Sequence, residues 1–155
     1  MREGLATFEV ASHRGQVAAV VDGVRFIDDS KATNVHAALA AIDGVEDAVL
    51  IAGGRAKGVD LSPLATRAPR LRAVIAIGEA AADIVEVFEG VRPVREAGSI
   101  EDAVRAAFEL ARPGGCVLLA PSCASWDQFR DYAERGDRFA AAARGLGQEV
   151  GAGGR

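Results

Sequence analysis

A short polar segment of this chain gathers most of the groups that could hold an anion. Residues 28–34 read Asp-Asp-Ser-Lys-Ala-Thr-Asn, which brings together carboxylates, an ammonium group, two hydroxyls and the start of a predicted helix. Thr33 or Asn34 is suited to cap that helix, and the free N–H groups of a helix start favour a negatively charged ligand. A capped helix alone would explain Thr33 and Asn34, but it would not explain Lys31 beside paired acids. We therefore expect an anion-binding loop here.

Two other loops carry groups of the same kind. Residues 53–58 read Gly-Gly-Arg-Ala-Lys-Gly, a turn at which backbone can approach an anion closely while Lys57 supplies positive charge. Residues 121–127 read Pro-Ser-Cys-Ala-Ser-Trp-Asp and offer hydroxyls and backbone donors at the expected start of another helix. The residues alone thus favour a small anionic ligand held by Lys31, Thr33, Lys57 and Ser125, and they leave the reaction open.

Several catalytic motifs are missing from the sequence. It contains neither the phosphate-cradling pattern G-x-x-x-x-G-K-[ST] nor the serine-nucleophile pattern G-x-S-x-G. His13 and His36 have no visible relation to Ser125 or to Cys123, so neither side chain has an assigned base. The two cysteines and two histidines also lack the spacing of zinc ligands. We assign no catalytic residue and no metal site.

The three loops require a scaffold, and its pattern starts with a hairpin. Asp22-Gly23 separates two β-branched runs, which predicts a type I′ turn. Continuous apolar runs further along the chain predict buried strands, and apolar residues at helical spacing between them predict amphipathic helices. The predicted strands are 47–52, 73–77, 93–95 and 116–120, and the predicted helices are 34–42, a short one opening at 62–63, 81–88, 100–111 and 127–143.

This alternation predicts an α/β fold, a mostly parallel sheet flanked by helices with an N-terminal β-hairpin. Ligands of such sheets bind beyond the carboxyl ends of the strands, which is where residues 28–34, 53–60 and 121–127 fall. Serine, isoleucine, glutamate and aspartate at 99–102 read as a capping box before a helix. The scaffold and the chemistry therefore point to the same edge of the sheet.

Composition limits the possible classes of protein. The 155 residues predict one domain over 1–147 and a disordered glycine-rich tail over 148–155. The net charge of −4, with scattered basic residues, argues against a nucleic-acid partner. The longest apolar runs, such as 48–52 and 73–77, are far short of the roughly 20 residues that span a bilayer, and no signal-peptide core is visible. We expect a cytoplasmic protein whose Cys116 and Cys123 are reduced.

The loop motifs resemble those of a known family. Residues 28–34 closely resemble the Asp-Ser-Lys-Ala-Thr-Asn motif of the D-glutamate-adding members of the Mur ligase family. Relatives that add other amino acids carry an Asp-Tyr-Ala-His-like loop in place of residues 29–32. The remaining matching segments follow in family order at 53–58, 60–64, 121–129 and 135–139. The resemblance extends from about His13 to Leu146; within it, residues 135–137 spell Arg-Gly-Asp, whose likeness to a cell-adhesion tripeptide we interpret as incidental.

This resemblance implies an ADP-forming amide ligase of peptidoglycan precursor synthesis whose C-terminal domain is Rossmann-like. In such enzymes ATP phosphorylates the carboxylate of UDP-N-acetylmuramoyl-L-alanine, and the amine of D-glutamate then attacks the acyl phosphate. The positions that correspond to contacts with D-glutamate are Thr33, Lys57, Ser125, the backbone at Trp126, and Tyr132. The positions that correspond to nucleotide contacts across a domain interface are Arg14, Asp29 and Lys31.

The resemblance also implies partners outside this chain. The UDP-binding and P-loop ATPase domains of the family are missing, so we expect an excised domain or truncated product that cannot run the reaction alone. ATP and Mg²⁺ are expected in the full-length enzyme, with no cofactor bound by this domain alone. The implied partners are D-glutamate and, through the missing domains, ATP or ADP and UDP-N-acetylmuramoyl-L-alanine. A free-standing Rossmann-type nucleotide- or anion-binding regulatory module, or an inactive folded fragment, are the alternatives.

Overall fold

A twisted sheet with helices on both faces forms the body of the molecule. The computed structural model describes residues 13–55, 58–125 and 129–153, and within these ranges the sheet has six strands in the order β1-β2-β6-β3-β4-β5. The strands are β1 (Gln16–Val21), β2 (Val24–Asp28), β3 (Ala48–Gly53), β4 (Leu71–Ile77), β5 (Val94–Glu96) and β6 (Cys116–Ser122). Strands β1 and β2 are antiparallel, and every other pairing is parallel. The expected α/β class, mostly parallel sheet and N-terminal hairpin are confirmed.

The hairpin forms because its turn residues accept positive φ. Asp22 and Gly23 have φ of 51° and 80°, the combination that a type I′ turn requires. Strand β1 lies at the edge of the sheet, where Val17 and Val20 are exposed. Strand β2 pairs with β6 inside the sheet, so the hairpin runs from the exposed edge of the sheet to its buried strands.

The parallel strands are buried on both faces, as their continuous apolar runs predict. Side chains of β3 alternate, with Leu50 in one hydrophobic cluster and Val49 and Ile51 in the other. The first cluster packs against α1 (Val35–Asp43) and α2 (Ala81–Phe88), and the second packs against α3 (Ile100–Ala111) and α4 (Tyr132–Gly153). The sheet is therefore the middle of three layers.

Side-chain caps set the starts of two helices. The Asn34 side chain accepts a hydrogen bond from the Ala37 N–H at 2.8 Å at the start of α1. Ser99 Oγ accepts from the Asp102 N–H at 3.0 Å at the start of α3, so the serine expected to cap that helix does so. The short helix opened by Ser62 and Pro63 is a 3₁₀ helix, Ser62–Arg70.

The last helix differs from the expected one at both ends. It begins at Tyr132 rather than near 127, because the Asp131 carboxylate accepts from the Glu134 N–H at 2.9 Å and caps the helix there. It continues to Gly153, beyond the predicted end at residue 143. Extending a helix that is already packed costs far less than nucleating one, which is a physical reason for the extension.

None of the helices in the described ranges combines the length and the apolar character needed to cross a bilayer.

Candidate functional site

Three loops meet at the carboxyl edge of the sheet because β6 lies between β2 and β3. Their backbones are bonded directly to one another. The Ser122 N–H donates to the Ala32 carbonyl at 2.9 Å, which joins the end of β6 to the loop after β2. The Arg55 N–H donates to the Ala124 carbonyl at 2.9 Å, and this contact joins the loop after β3 to the loop after β6. The edge chosen from the sequence is thus one continuous surface.

Gly54 permits this close approach. Its φ is +128°, and a Cβ atom built there would lie 2.3 Å from the Ala124 carbonyl oxygen and 3.3 Å from Nη1 of Arg135. A real Cβ essentially never lies that near a backbone oxygen, so any other residue would push the two loops apart. Gly54 is therefore required for the packing of these loops, whatever ligand binds there.

A pocket of about 390 Å³ opens between two of these loops. Its described lining residues are Thr33, Ala124, Ser125, Asp131 and Tyr132, and we call it the strand-end pocket. Thr33, Ser125 and Tyr132, selected from the sequence as one binding group, therefore lie around a common hollow. Lys57 and Trp126, selected with them, lie outside the described residues.

The residues selected for a nucleotide do not line the strand-end pocket. Asp29 lines a separate hollow of about 320 Å³, where Gly15 and Arg25 also lie. Arg14 is exposed, and its charge acts on the Asp29 carboxyl. The Lys31 Nζ lies 5.7 Å from the centre of the Tyr132 ring, beside a residue that lines the strand-end pocket.

The Asp29 carboxyl is in an unfavourable environment for its charged form. Burial raises its pKa, the neighbouring Asp28 raises it further, and Arg14 opposes both effects, which leaves the pKa at about 6. Perturbed carboxyl groups of this kind occur often at functional sites. The electrostatics thus support a functional role for the loop after β2.

His13 and Asp28 form a partly buried pair that the sequence did not reveal. The His13 Nδ1 lies 2.6 Å from Oδ2 of Asp28, and the other Asp28 oxygen accepts from the Ser30 N–H at 2.9 Å. The Lys31 N–H donates to the His13 carbonyl at 3.0 Å. Gly136 makes room for the pair, since a Cβ there would lie 2.2 Å from the His13 Nδ1. The pair fixes the start of the loop after β2.

Arg135 is the second group that sequence reasoning missed. It was interpreted as part of an incidental tripeptide, yet its side chain is fully buried. Its Nε donates to Ser30 Oγ at 2.9 Å, Nη2 donates to the Ser30 carbonyl at 2.9 Å, and Nη1 donates to the Cys123 carbonyl at 3.1 Å. The only hint in the sequence was its place in a segment that matches the family. A basic residue in a helical pattern otherwise predicts an exposed position.

The two cysteines form no disulfide, as expected of reduced thiols. Cys116 and Cys123 are both free and buried, and burial raises the pKa of the Cys116 thiol. Within residues 13–55, 58–125 and 129–153 no group of three or more His, Cys, Asp or Glu side chains is arranged to hold a metal ion.

Comparisons with known proteins agree with this architecture. A family model described as Mur ligase, glutamate ligase domain, matches residues 13–123. The chain is 48% identical over 152 residues to the UDP-N-acetylmuramoylalanine--D-glutamate ligases of Burkholderia thailandensis and Burkholderia mallei. Both alignments cover 96% of this chain and 30% of the relative, so the chain spans less than a third of the length of these relatives.

Two solved structures share the fold. A domain from a Haemophilus ducreyi protein named as a UDP-N-acetylmuramate:L-alanyl-gamma-D-glutamyl-medo-diaminopimelate ligase aligns with a TM-score of 0.58 at 18% identity, covering 88% of this chain and 99% of that one. A murein peptide ligase of Psychrobacter arcticus aligns with a TM-score of 0.61 at 15% identity, covering 91% of this chain and 32% of that one. At such low identities the likeness concerns the fold alone.

Proposed function

This chain belongs to the family of Mur ligase glutamate ligase domains, and we propose that it holds D-glutamate for joining to UDP-N-acetylmuramoyl-L-alanine. The relatives with 48% identity carry the name of that ligase. The observation that carries the proposal is that Thr33, Ser125 and Tyr132, from distant parts of the chain, line one pocket. The proposed enzyme works in the cytoplasm, and this chain supplies one of its domains.

The chemistry of the pocket suits this amino acid. D-glutamate carries two carboxylates and one amine, so it needs a cation, several hydrogen-bond donors and one acceptor. The hydroxyls of Thr33 and Ser125 supply donors, Lys57 would supply the cation, and the Asp131 carboxylate is an acceptor for the amine. A volume of about 390 Å³ lies in the range of small-molecule sites. Fixing the amine in one place supplies proximity, which is the catalytic contribution expected of this domain.

We extend the proposal to the nucleotide side of the site. Arg14, Asp29 and Lys31 would contact ATP across a domain interface, with Mg²⁺ held alongside the nucleotide by the rest of the enzyme. ATP supplies the phosphoryl group that activates the acceptor carboxylate. Lys31 Nζ lies 5.7 Å from the centre of the Tyr132 ring. From that position its charge would act on both the proposed D-glutamate pocket and a phosphate of the bound nucleotide.

A titration of this chain with D-glutamate tests the binding claim. Amide chemical shifts at Thr33, Ser125 and Tyr132 should move with D-glutamate and respond much less to L-glutamate. Thr33→Val keeps the side-chain shape and removes the hydroxyl, so it should weaken binding by roughly tenfold. Thr66→Val is the matched control, because the Thr66 hydroxyl donates to the Pro63 carbonyl and accepts from Arg67 Nη1, and neither partner lines the strand-end pocket.

Equal responses to both enantiomers, or no response, would contradict a D-glutamate site. Tight binding of ADP to the chain alone would instead favour the regulatory module, since only a minority of the nucleotide contacts are proposed here.

A second experiment restores the remaining two domains and measures ADP release. Release should depend on D-glutamate and on UDP-N-acetylmuramoyl-L-alanine. Lys57→Ala should raise the KM for D-glutamate by roughly 10- to 100-fold, because it removes a charge-assisted hydrogen bond. Arg55→Ala is the control from the same loop, since the exposed Arg55 side chain lies 3.7 Å from Glu79. Similar losses in both variants would rule out a specific role for Lys57.

A further inference from the structure

Arg135 connects every described segment that lines the strand-end pocket. Ser30 precedes Thr33 by three positions, Cys123 precedes Ser125 by two, and Arg135 lies one helical turn after Tyr132. The guanidinium donates to Ser30 Oγ, to the Ser30 carbonyl and to the Cys123 carbonyl, and all three bonds are buried. A buried cation thus lies behind the pocket rather than in it.

We propose that Arg135 is the positioning residue of the D-glutamate site, because it holds the loop after β2, the loop after β6 and the start of α4 in one arrangement. The inference rests on the proposed function of the strand-end pocket. Arg135 does not line that pocket, so it acts on the ligand only through Thr33, Ser125 and Tyr132. It is not a catalytic residue.

The shape of the side chain explains why an arginine is required. A guanidinium presents five N–H donors in a rigid plane, so it can bond acceptors on two loops at once. A lysine presents one ammonium group on a flexible stem and cannot reproduce that geometry. The space is also specific, since Nη1 lies close to the position that a Cβ on Gly54 would occupy. The third loop is therefore packed against the same guanidinium.

Ser30 completes the connection to α4. Its hydroxyl accepts from the Arg135 Nε and donates to the Tyr132 carbonyl at 2.8 Å. One hydroxyl therefore links the arginine to the first residue of the helix, and Tyr132 is itself a pocket residue. Loss of either Arg135 or Ser30 should change the same set of distances across the pocket.

The experiment compares Arg135→Lys and Ser30→Ala with Arg138→Gln in the 155-residue chain. Arg138 lies on the same helix and pairs with Glu101 at 2.8 Å, away from the pocket, so its loss controls for removing an arginine from α4. Ser30→Ala is the milder change and keeps the test valid if Arg135→Lys does not fold.

Two measurements are made on each variant. Hydrogen exchange is followed at the Arg55 and Ser122 amides, whose bonds join the loops, and at the Val74 and Ile75 amides in β4 as a core reference. D-glutamate affinity is measured by titration. We expect exchange at the loop amides to accelerate about tenfold or more while the core is unchanged, and affinity to fall by roughly tenfold or more, as small misplacements of a site can cause. Arg138→Gln should change neither quantity.

The outcomes separate this inference from the proposed function. Exchange that accelerates equally in loops and core would mean that Arg135 serves only global stability, and the inference would fail. Unchanged exchange at the loop amides would also overturn it, as would loosened loops that bind D-glutamate with unaltered affinity. If the unaltered chain shows no D-selective binding, the proposed function fails, and the loop exchange alone then decides whether Arg135 positions the pocket.

Discussion

The two ends of the parallel strands use arginine in opposite ways. Before β3 and β4 begin, Arg67 pairs with Asp43 at 2.7 Å and Arg70 pairs with Glu46 at 2.6 Å, and all four side chains are partly exposed. Beyond the strand ends, Arg135 is fully buried and bonds the backbone and hydroxyl of other loops. Exposed ion pairs contribute little to stability, whereas buried donors and acceptors are costly to leave unbonded. At one end of the sheet the arginines form exposed ion pairs, whereas at the other end one buried arginine holds two loops together.

The carboxyl groups of the two ends differ in the same sense. A hydrogen bond from Arg67 holds the pKa of Asp43 below its usual value, and a hydrogen bond from Arg72 does the same for Asp47. At the opposite end, burial and the neighbouring Asp28 raise the pKa of Asp29 to about 6. Hydrogen bonds from arginines favour the charged form of the carboxyl groups at one end of the sheet, and burial disfavours it for Asp29 at the other end. Functional sites commonly show that difference.

The largest expected effect comes from replacing the two kinds of arginine. Arg135→Met leaves the carbonyls of Ser30 and Cys123 without those donors in a buried position, so the free energy of unfolding should fall by about 2–5 kcal/mol. Arg67→Met should cause a much smaller loss, because its partner Asp43 stays hydrated. Urea denaturation followed by circular dichroism measures both. Similar losses of unfolding free energy in the two variants would contradict the claim that the arginines at the two ends of the sheet differ in their contribution to stability.

Replacing glycines tests whether the backbone at the candidate site is packed more tightly than the backbone elsewhere. Gly54→Ala forces a methyl group against the Ala124 carbonyl at a positive φ, so we expect a loss of about 2–4 kcal/mol in the free energy of unfolding. Gly145→Ala is the matched control in α4, where a Cβ meets no atom within 4 Å. It should raise stability by about 0.5–1 kcal/mol, as alanine favours a helix interior over glycine. A neutral Gly54→Ala would show that the loops are not tightly packed.

The smallest effect is a pH dependence. The folded-state pKa of Asp29, about 6, lies above its ordinary value of 3.8. The stabilising contribution of the Asp29 carboxyl is therefore fully present below pH 3.8, and it is lost as the pH rises through about 6. Asp29→Asn should stabilise the chain at pH 7 by about 1 kcal/mol after allowance for solvent screening, and the gain should vanish below about pH 4.

Asp43→Asn is the opposite case and completes that comparison. Its depressed pKa contributes stability that is present above the ordinary value and is lost as the pH falls through the folded value. This substitution should therefore destabilise the chain at pH 7 and have no effect in acid. Thermal unfolding of both variants between pH 3 and 8 would reveal the two signs, and a common sign would contradict the electrostatic contrast.

Local rules accounted for the elements of the fold. Asp22-Gly23 predicted the turn, and the apolar runs predicted the parallel strands. Ser99 predicted one helix start, and the sequence offered Thr33 or Asn34 for another, of which the structure uses Asn34. The start of α4 was misplaced because its cap, Asp131, follows a stretch that carries no strong breaker. Thr33 and Ser125 were selected by the chemistry of their loops and Tyr132 by likeness to family motifs, and their common hollow appears only in the folded chain.

The sequence by itself determined the strand and helix pattern, and hence the edge of the sheet at which polar loops collect, because each of these depends on neighbouring residues. Only the tertiary structure decided that Arg135 is buried and bonded to Ser30 at a separation of 105 positions, and that Gly136 lies against the His13–Asp28 pair. A charged residue within a helical pattern has the same local signature whether it faces water or a buried carbonyl. Its environment is set by which distant loops the sheet order brings together.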